Sequence, residues 1–252
     1  MKRQQILIST SKGKIYAPCY KGGFYFWSNG MDLPSLIQLL KDAFPILLHG
    51  AGYTLFLAVA SMFGGLLIAI LVVLIRLSKI PVLSQICAVY VSCIRGTPLL
   101  VQLFVIYFGL PSIGIQFEPL TAGVLALSLN VGGYLSETLR GSINGITQGQ
   151  WDAGKSLGLT NSQTLRYVVA PQALRLAVPS LSNSLISLIK DTSLVSVISV
   201  SELMLASKEV IATTFQPFPL YLMAAAIYWV LSASFESVQR KLEVKLNQMY
   251  IR

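Results

Sequence analysis

The stretch GAGYTLFLAVASMFGGLLIAILVVLI, Gly50 to Ile75, runs for twenty-six residues without a charged side chain. About 20 apolar residues cross the hydrocarbon core of a bilayer as a helix, so this segment reads as a membrane span. Composition agrees: 54% of the 252 residues are hydrophobic and 12% are charged, with a mean hydropathy of +0.67. A soluble domain carries roughly a quarter charged residues, and one water-facing core could not hide this much apolar surface. An ordinary cytosolic globule is excluded.

Working outward, the first span closes on Arg76 and Lys79. The uncharged run Ile80–Ile94 then breaks at Arg95-Gly96-Thr97-Pro98, where Thr97 can cap a new helix and Pro98 open it. A second span reads as about 82–110, with 82–94 either its first turns or a separate interfacial helix. Further spans fit 120–139, 178–200 and 218–235, each bounded by charges or prolines. The fold class expected is therefore all-α and integral to the membrane, with five transmembrane helices in a domain over 31–248.

Charge orients the spans. Arg76, Lys79, Arg140, Lys155, Arg166, Arg175, Arg240, Lys241, Lys245 and Arg252 fall on one side, and Lys208 alone falls on the other. Positive loops stay cytoplasmic, which places loop 140–177 and the C-terminus inside. Five spans put the basic residues before Gly50 on the opposite side, but only Lys41 lies near the first span. Residues 1–30 lack the apolar core of a signal peptide and read as an extension, disordered or preceding the true start. Asp32 is positioned to cap an amphipathic stretch, Leu33 to Phe44.

The net charge of +9 sits at the edges of apolar runs, which argues for membrane loops rather than nucleic acid. Cys19, Cys87 and Cys93 are too scattered for a disulfide framework, and a lone His49 builds no metal site. Gly149 to Ser156, GQWDAGKS, matches GxxxxGK[ST], a phosphate-cradling pattern. A working phosphate loop follows a buried β-strand, and the polar, glycine-bearing Gly141–Gln148 supplies none. The match reads as coincidence. The loop reads instead as two short helices: Gln148–Leu157, stopped by Gly158, and Asn161–Val169, capped by Thr160 or Asn161 and stopped by Pro171. On the residues alone this hairpin is either a docking element, in the helix-in-groove manner, or a solvated loop.

Polar side chains at membrane depth are costly and tend to face a bundle interior or water. Asn130, Tyr134 and Glu137 share one helical face in the third span, with Arg140 a turn further on to pair with Glu137. Asn183, Ser187 and Asp191 form a similar stripe in the fourth, beside Lys190. These six stripe residues are candidates to line a path. Arg95, Glu137, Arg140, Lys190 and Asp191 are candidates for ion pairs at the membrane boundary. Gly64, Gly65, Gly132 and Gly133 read as positions of close helix packing.

Asp152-Ala153-Gly154, then Gly158 and Pro171, resembles the EAAxxxG…P loop in permease subunits of bacterial ABC importers. Arg95-Gly96-Thr97-Pro98-Leu99, the set Asn130, Tyr134, Glu137 and Arg140, and Lys190-Asp191-Thr192-Ser193-Leu194 resemble the polar amino acid group of that family. That group serves histidine, glutamine, arginine, opines and cystine. The resemblance implies a five-span type I importer permease in the bacterial inner membrane, working as a homodimer or heterodimer and lacking its own ATPase. It implies two copies of an ATPase subunit holding ATP and magnesium, and a solute-binding protein that delivers the amino acid. It assigns Asp152, Ala153, Gly154, Lys155 and Gly158 to the coupling helix and its turn, with no catalytic residue in this chain. The family's Glu is Asp152 here, its second Ala is Gly154, and the Leu before its Pro is Ala170. The rival reading is an ion-coupled or channel-type transporter without an ATPase partner; it would carry an inverted repeat in many cases, and none is visible.

Overall fold

The computed structural model describes residues 5–10, 13–18, 32–78 and 80–248. Near the N-terminus, β1 (Gln5–Thr10) and β2 (Gly13–Pro18) pair antiparallel, from Gln5 opposite Pro18 to Thr10 opposite Gly13. This ribbon departs from the expected all-α chain and from an extension without structure; the rest of 1–30 lies outside the described residues. Apart from it, every regular element among the described residues is helical.

Helix α1 (Leu33–Leu77) joins the amphipathic stretch and the first expected span into one element that runs through Pro45. Its buried positions, Leu47, Ala51, Thr54, Leu57, Ala58, Ser61, Gly65, Ala69 and Val72, recur every three or four residues and make one packed face. Phe56, Val59, Phe63, Leu67 and Leu74 are exposed on the others, as a helix bathed by lipid tails requires. Against that packed face lies α4 (Pro119–Asn144). A Cβ on Gly65 would come within 2.3 Å of Val131, and one on Gly132 within 2.9 Å of Ile68. Small residues thus let the two backbones approach.

Helix α2 (Pro81–Gly96) meets α3 (Leu99–Phe104) and its continuation to Ile113 at a bend of 110°. The second span is therefore not one rod, and 81–96 is a helix of its own. Pro98 cannot extend α2, and the freed carbonyls of Ile94 and Thr97 accept from the Gln102 side chain at 2.8 and 3.1 Å. A π-turn, Val105–Gly109, and a 3-10 turn, Leu110–Ile113, finish this arm.

The remaining elements are α5 (Gln148–Ser156), α6 (Asn161–Thr164), α7 (Ala170–Asp191), α8 (Leu203–Thr214) and α9 (Pro217–Gln248). The fourth expected span, 178–200, is displaced toward the N-terminus: α7 begins at Ala170 and ends at Asp191, and a 3-10 turn, Thr192–Ile198, follows. Here Thr192 and Ser196 hydroxyls donate to the carbonyls of Ile189 and Ser193, both at 2.7 Å, which competes with continued helix.

By length and composition, two helices among the described residues are apolar enough to cross a bilayer, Leu33–Leu77 and Pro217–Lys241. The bent pair adds a third if it counts as one span. Helices α4 and α7 have the length, 26 and 22 residues, but more polar side chains. They pack against α1, α9 and each other, so a smaller share of their surface needs to suit lipid.

Candidate functional site

Two places bring the candidate residues together. The first is the loop between α4 and α7. Thr147 precedes α5, and the Gly149–Ser156 segment lies inside that helix, where its backbone N–H groups run along the axis. A phosphate cradle needs them converging from an irregular turn, so the GxxxxGKS match has the wrong local geometry. At the other end, Leu159 N–H donates to Gly154 C=O at 3.1 Å and Gly158 N–H to Lys155 C=O at 2.9 Å. With Gly158 at φ +78°, this is a Schellman cap, and it requires a residue that enters the left-handed region freely.

Thr160 then opens α6 in a capping box: its hydroxyl accepts from Gln163 N–H at 3.3 Å, and Gln163 Oε1 accepts from Thr160 N–H at 2.9 Å. Pro171 does not stop the chain, contrary to the sequence expectation. A π-turn, Leu165–Val169, precedes α7 and lets Ala170 N–H reach Leu165 C=O, so the helix re-forms with Pro171 in its first turn.

Asp152, Ala153, Lys155 and Gly158 are exposed, while Gly154 is buried. A Cβ at Gly154 would stand 2.6 Å from Thr164 Cγ2 and 2.8 Å from its Oγ1. This contact explains why glycine replaces the helix-favouring alanine. Gln172 Nε2 donates to Gln150 Oε1 at 2.9 Å and ties α5 to α7 as well. Gly154→Ala is expected to lower stability by roughly 1–2 kcal/mol, because overpacking outweighs the ~1 kcal/mol gained in helix propensity. Thr164→Ala in the same chain should restore it, and thermal unfolding of the four members of that cycle reads the coupling.

The second place lies between α1, α2 and α4. Glu137 is paired twice, with Arg76 of α1 and with Arg140, whose Nη2 lies 2.6 Å from Oε2. Tyr134, one turn before it, carries the Arg95 guanidinium 5.7 Å above its ring. Asn130, a further turn on, donates to Gln102 Oε1 at 3.0 Å. One face of α4 thus meets the bend between α2 and α3.

Among the ion-pair candidates, Glu137 and Arg140 bond each other directly. Arg95 lies over the Tyr134 ring, while Glu137 is engaged by Arg76 and Arg140. At the end of α7, Lys190 is exposed and Asp191 half-buried. In the α7 stripe, Ser187 is exposed and Asn183 Oδ1 accepts from Gln239 of α9 at 3.1 Å.

A family profile described as "Binding-protein-dependent transport system inner membrane component" matches residues 61–248. The chain belongs to that family. Among relatives of this inner membrane component is the L-cystine transport system permease protein TcyB of Bacillus subtilis, 44% identical over 213 residues, or 84% of this chain and 91% of that one. The glutamine transport system permease protein GlnP of Escherichia coli is 37% identical over 207 residues, covering 81% and 94%. A crystal structure titled as an amino acid ABC transporter with histidines superposes with a TM-score of 0.80 at 33% identity, covering 85% of this chain and 99% of that one. The MetNI methionine transporter, 18% identical, shares the fold with a TM-score of 0.65.

The inner membrane component also holds polar groups that the sequence reading passes over. Arg76, an orienting charge at the close of the first span, pairs with Glu137 across 61 positions. Glu202 is fully buried; it accepts from Leu205 N–H at 2.9 Å, capping α8, and from Tyr228 Oη at 2.6 Å and Thr54 Oγ1 at 3.5 Å. A carboxylate just before an apolar-periodic stretch was the available signal for α8.

Proposed function

We propose that this chain is the permease of an ATP-driven importer for a polar amino acid, and that it forms the translocation path as one of a pair of permease subunits. Five passes cross the inner membrane in this reading, with loop 140–177 and the C-terminus cytoplasmic. The observation that carries it is α5: a nine-residue helix, exposed along Asp152, Ala153 and Lys155 and held at both ends, on the side where the basic loops collect. Leu157 and Tyr167, 79% and 63% exposed beside it, are apolar anchors of the kind that fill a partner's groove.

Each α5 docks on one copy of a separate ATPase subunit, which holds ATP and magnesium. Closure of that subunit pair moves the two docking helices, and the spans rock between inward-facing and outward-facing states. Asn130, Tyr134, Glu137, Asn183, Ser187 and Asp191 line the path, and a solute-binding protein delivers the amino acid from outside. The cystine and glutamine systems among the relatives support the substrate class.

Reconstitution tests the reading. Proteoliposomes holding the chain with its ATPase and solute-binding protein are expected to accumulate the amino acid only when ATP is supplied, and the purified chain alone to hydrolyse none. Uptake driven by an ion gradient without the ATPase would contradict it.

A further inference from the structure

The cluster around Glu137 holds three cations, Arg76, Arg95 and Arg140, and one carboxylate. Glu137 is saturated by Arg76 and Arg140. Arg95, by contrast, has no hydrogen-bond acceptor and no ion pair among the described residues; its one described contact is the face of Tyr134. It is exposed, and it borders an open cleft of about 400 Å³ also lined by Arg76, Ser92, Gly96 and Glu137. That size lies in the range of small-molecule sites.

A guanidinium stacked on an aromatic ring keeps its edge free, and the edge is where its forked N–H donors lie. Tyr134 holds the Arg95 guanidinium over its ring face, and no acceptor among the described residues takes its N–H donors. Gly96 leaves the neighbouring position without a side chain, and Ser92, one turn earlier on α2, adds a hydroxyl donor beside it. The cleft offers unpaired donors and a surplus of positive charge, with its carboxylate already spent on other partners. Such a site takes an anion with paired oxygens.

We propose that Arg95 is the residue that binds the α-carboxylate of the transported amino acid within the membrane domain, with Tyr134 as its positioning residue. This rests on the permease reading above. The substrate's ammonium group is held elsewhere, because Glu137 has no oxygen left uncommitted to an arginine. The class of ligand is thus set by a free carboxylate next to a variable side chain, and an amino acid amide is excluded from this step.

The test uses the purified permease–ATPase complex without solute-binding protein, followed by thermal shift against each protein amino acid and cystine at millimolar concentration. Wild-type complex is expected to be stabilised by at least one of them and not by the matching α-carboxamide. Arg95→Gln should weaken the apparent affinity roughly ten- to a hundredfold, the scale of lost charge-assisted bonds, and Arg95→Lys should recover part of it. An equal shift with the carboxamide, an unchanged affinity in Arg95→Gln, or no shift in wild type would overturn the proposal. Co-purification of the ATPase separates the two levels. Its recovery with both chains leaves the permease reading standing whatever the shifts show, and its absence from wild type removes both readings. If Arg95→Gln alone fails to assemble, the carboxylate–carboxamide comparison on wild type decides.

Discussion

Gly158→Val is expected to cut transport by more than tenfold while the permease still reaches the membrane. Gly158 holds φ +78° and supplies the N–H that closes the Schellman cap of α5. A β-branched residue in the left-handed region costs about 1–2 kcal/mol or more, so the chain escapes by opening the turn. Helix α5 has nine residues, too few to persist without its C-terminal cap and its packing on Thr164. Once the turn opens, the face of α5 proposed above to dock on the ATPase is no longer presented as a rigid surface. A Cβ at position 158 itself meets open space, so the loss is conformational rather than steric. Uptake assays paired with quantitative membrane blots read the split: near-normal protein with near-zero uptake. Full activity in Gly158→Val would mean that α5 does not transmit the stroke.

Glu202→Ala is expected to have the largest effect on stability. The carboxylate joins three helices, accepting from Thr54 on α1, Leu205 N–H on α8 and Tyr228 on α9. Gly50 and Ala206 pack where those helices meet, with a Cβ on Gly50 only 3.0 Å from Ala206 Cβ. Truncation removes an N-cap, worth about 1 kcal/mol, and takes from the half-buried Tyr228 hydroxyl its carboxylate acceptor, at about 1–3 kcal/mol. A total of about 2–4 kcal/mol is a large share of what holds a domain folded. Glu202→Gln keeps one carbonyl oxygen and should lie between wild type and alanine. Tyr228→Phe deletes donor and acceptor demand together at one end and should cost less than Glu202→Ala. Thermal unfolding in detergent gives the order; an alanine variant as stable as wild type would remove Glu202 from the hub.

Local signals in the sequence were the readable ones. The uncharged Gly50–Ile75 run, the Gly158 stop, the Thr160 cap and the Glu137–Arg140 spacing each depend on residues within a few positions of one another, where periodicity and capping chemistry act. The close-packing glycines were legible too, since Gly64, Gly65, Gly132 and Gly133 all meet side chains on facing helices. What escaped depends on distant partners. Glu202 bonds Thr54 across 148 positions, and Arg76 reaches Glu137 across 61. Pro171 reads as a stop by local rules, but the π-turn before it shifts the hydrogen-bond ladder by one residue and the helix resumes. Polarity in α4 and α7 blurs the count of spans for a related reason: helices that pack on neighbours need less apolar surface.

The most direct test of the central claim is an affinity pull-down of the tagged chain from its native membranes, beside Gly158→Asp. An ATPase subunit is expected to come with the wild type and to be lost with the variant. Absence of any ATPase from the wild type, together with ATP hydrolysis by the chain alone, would contradict it and return attention to the Gly149–Ser156 motif.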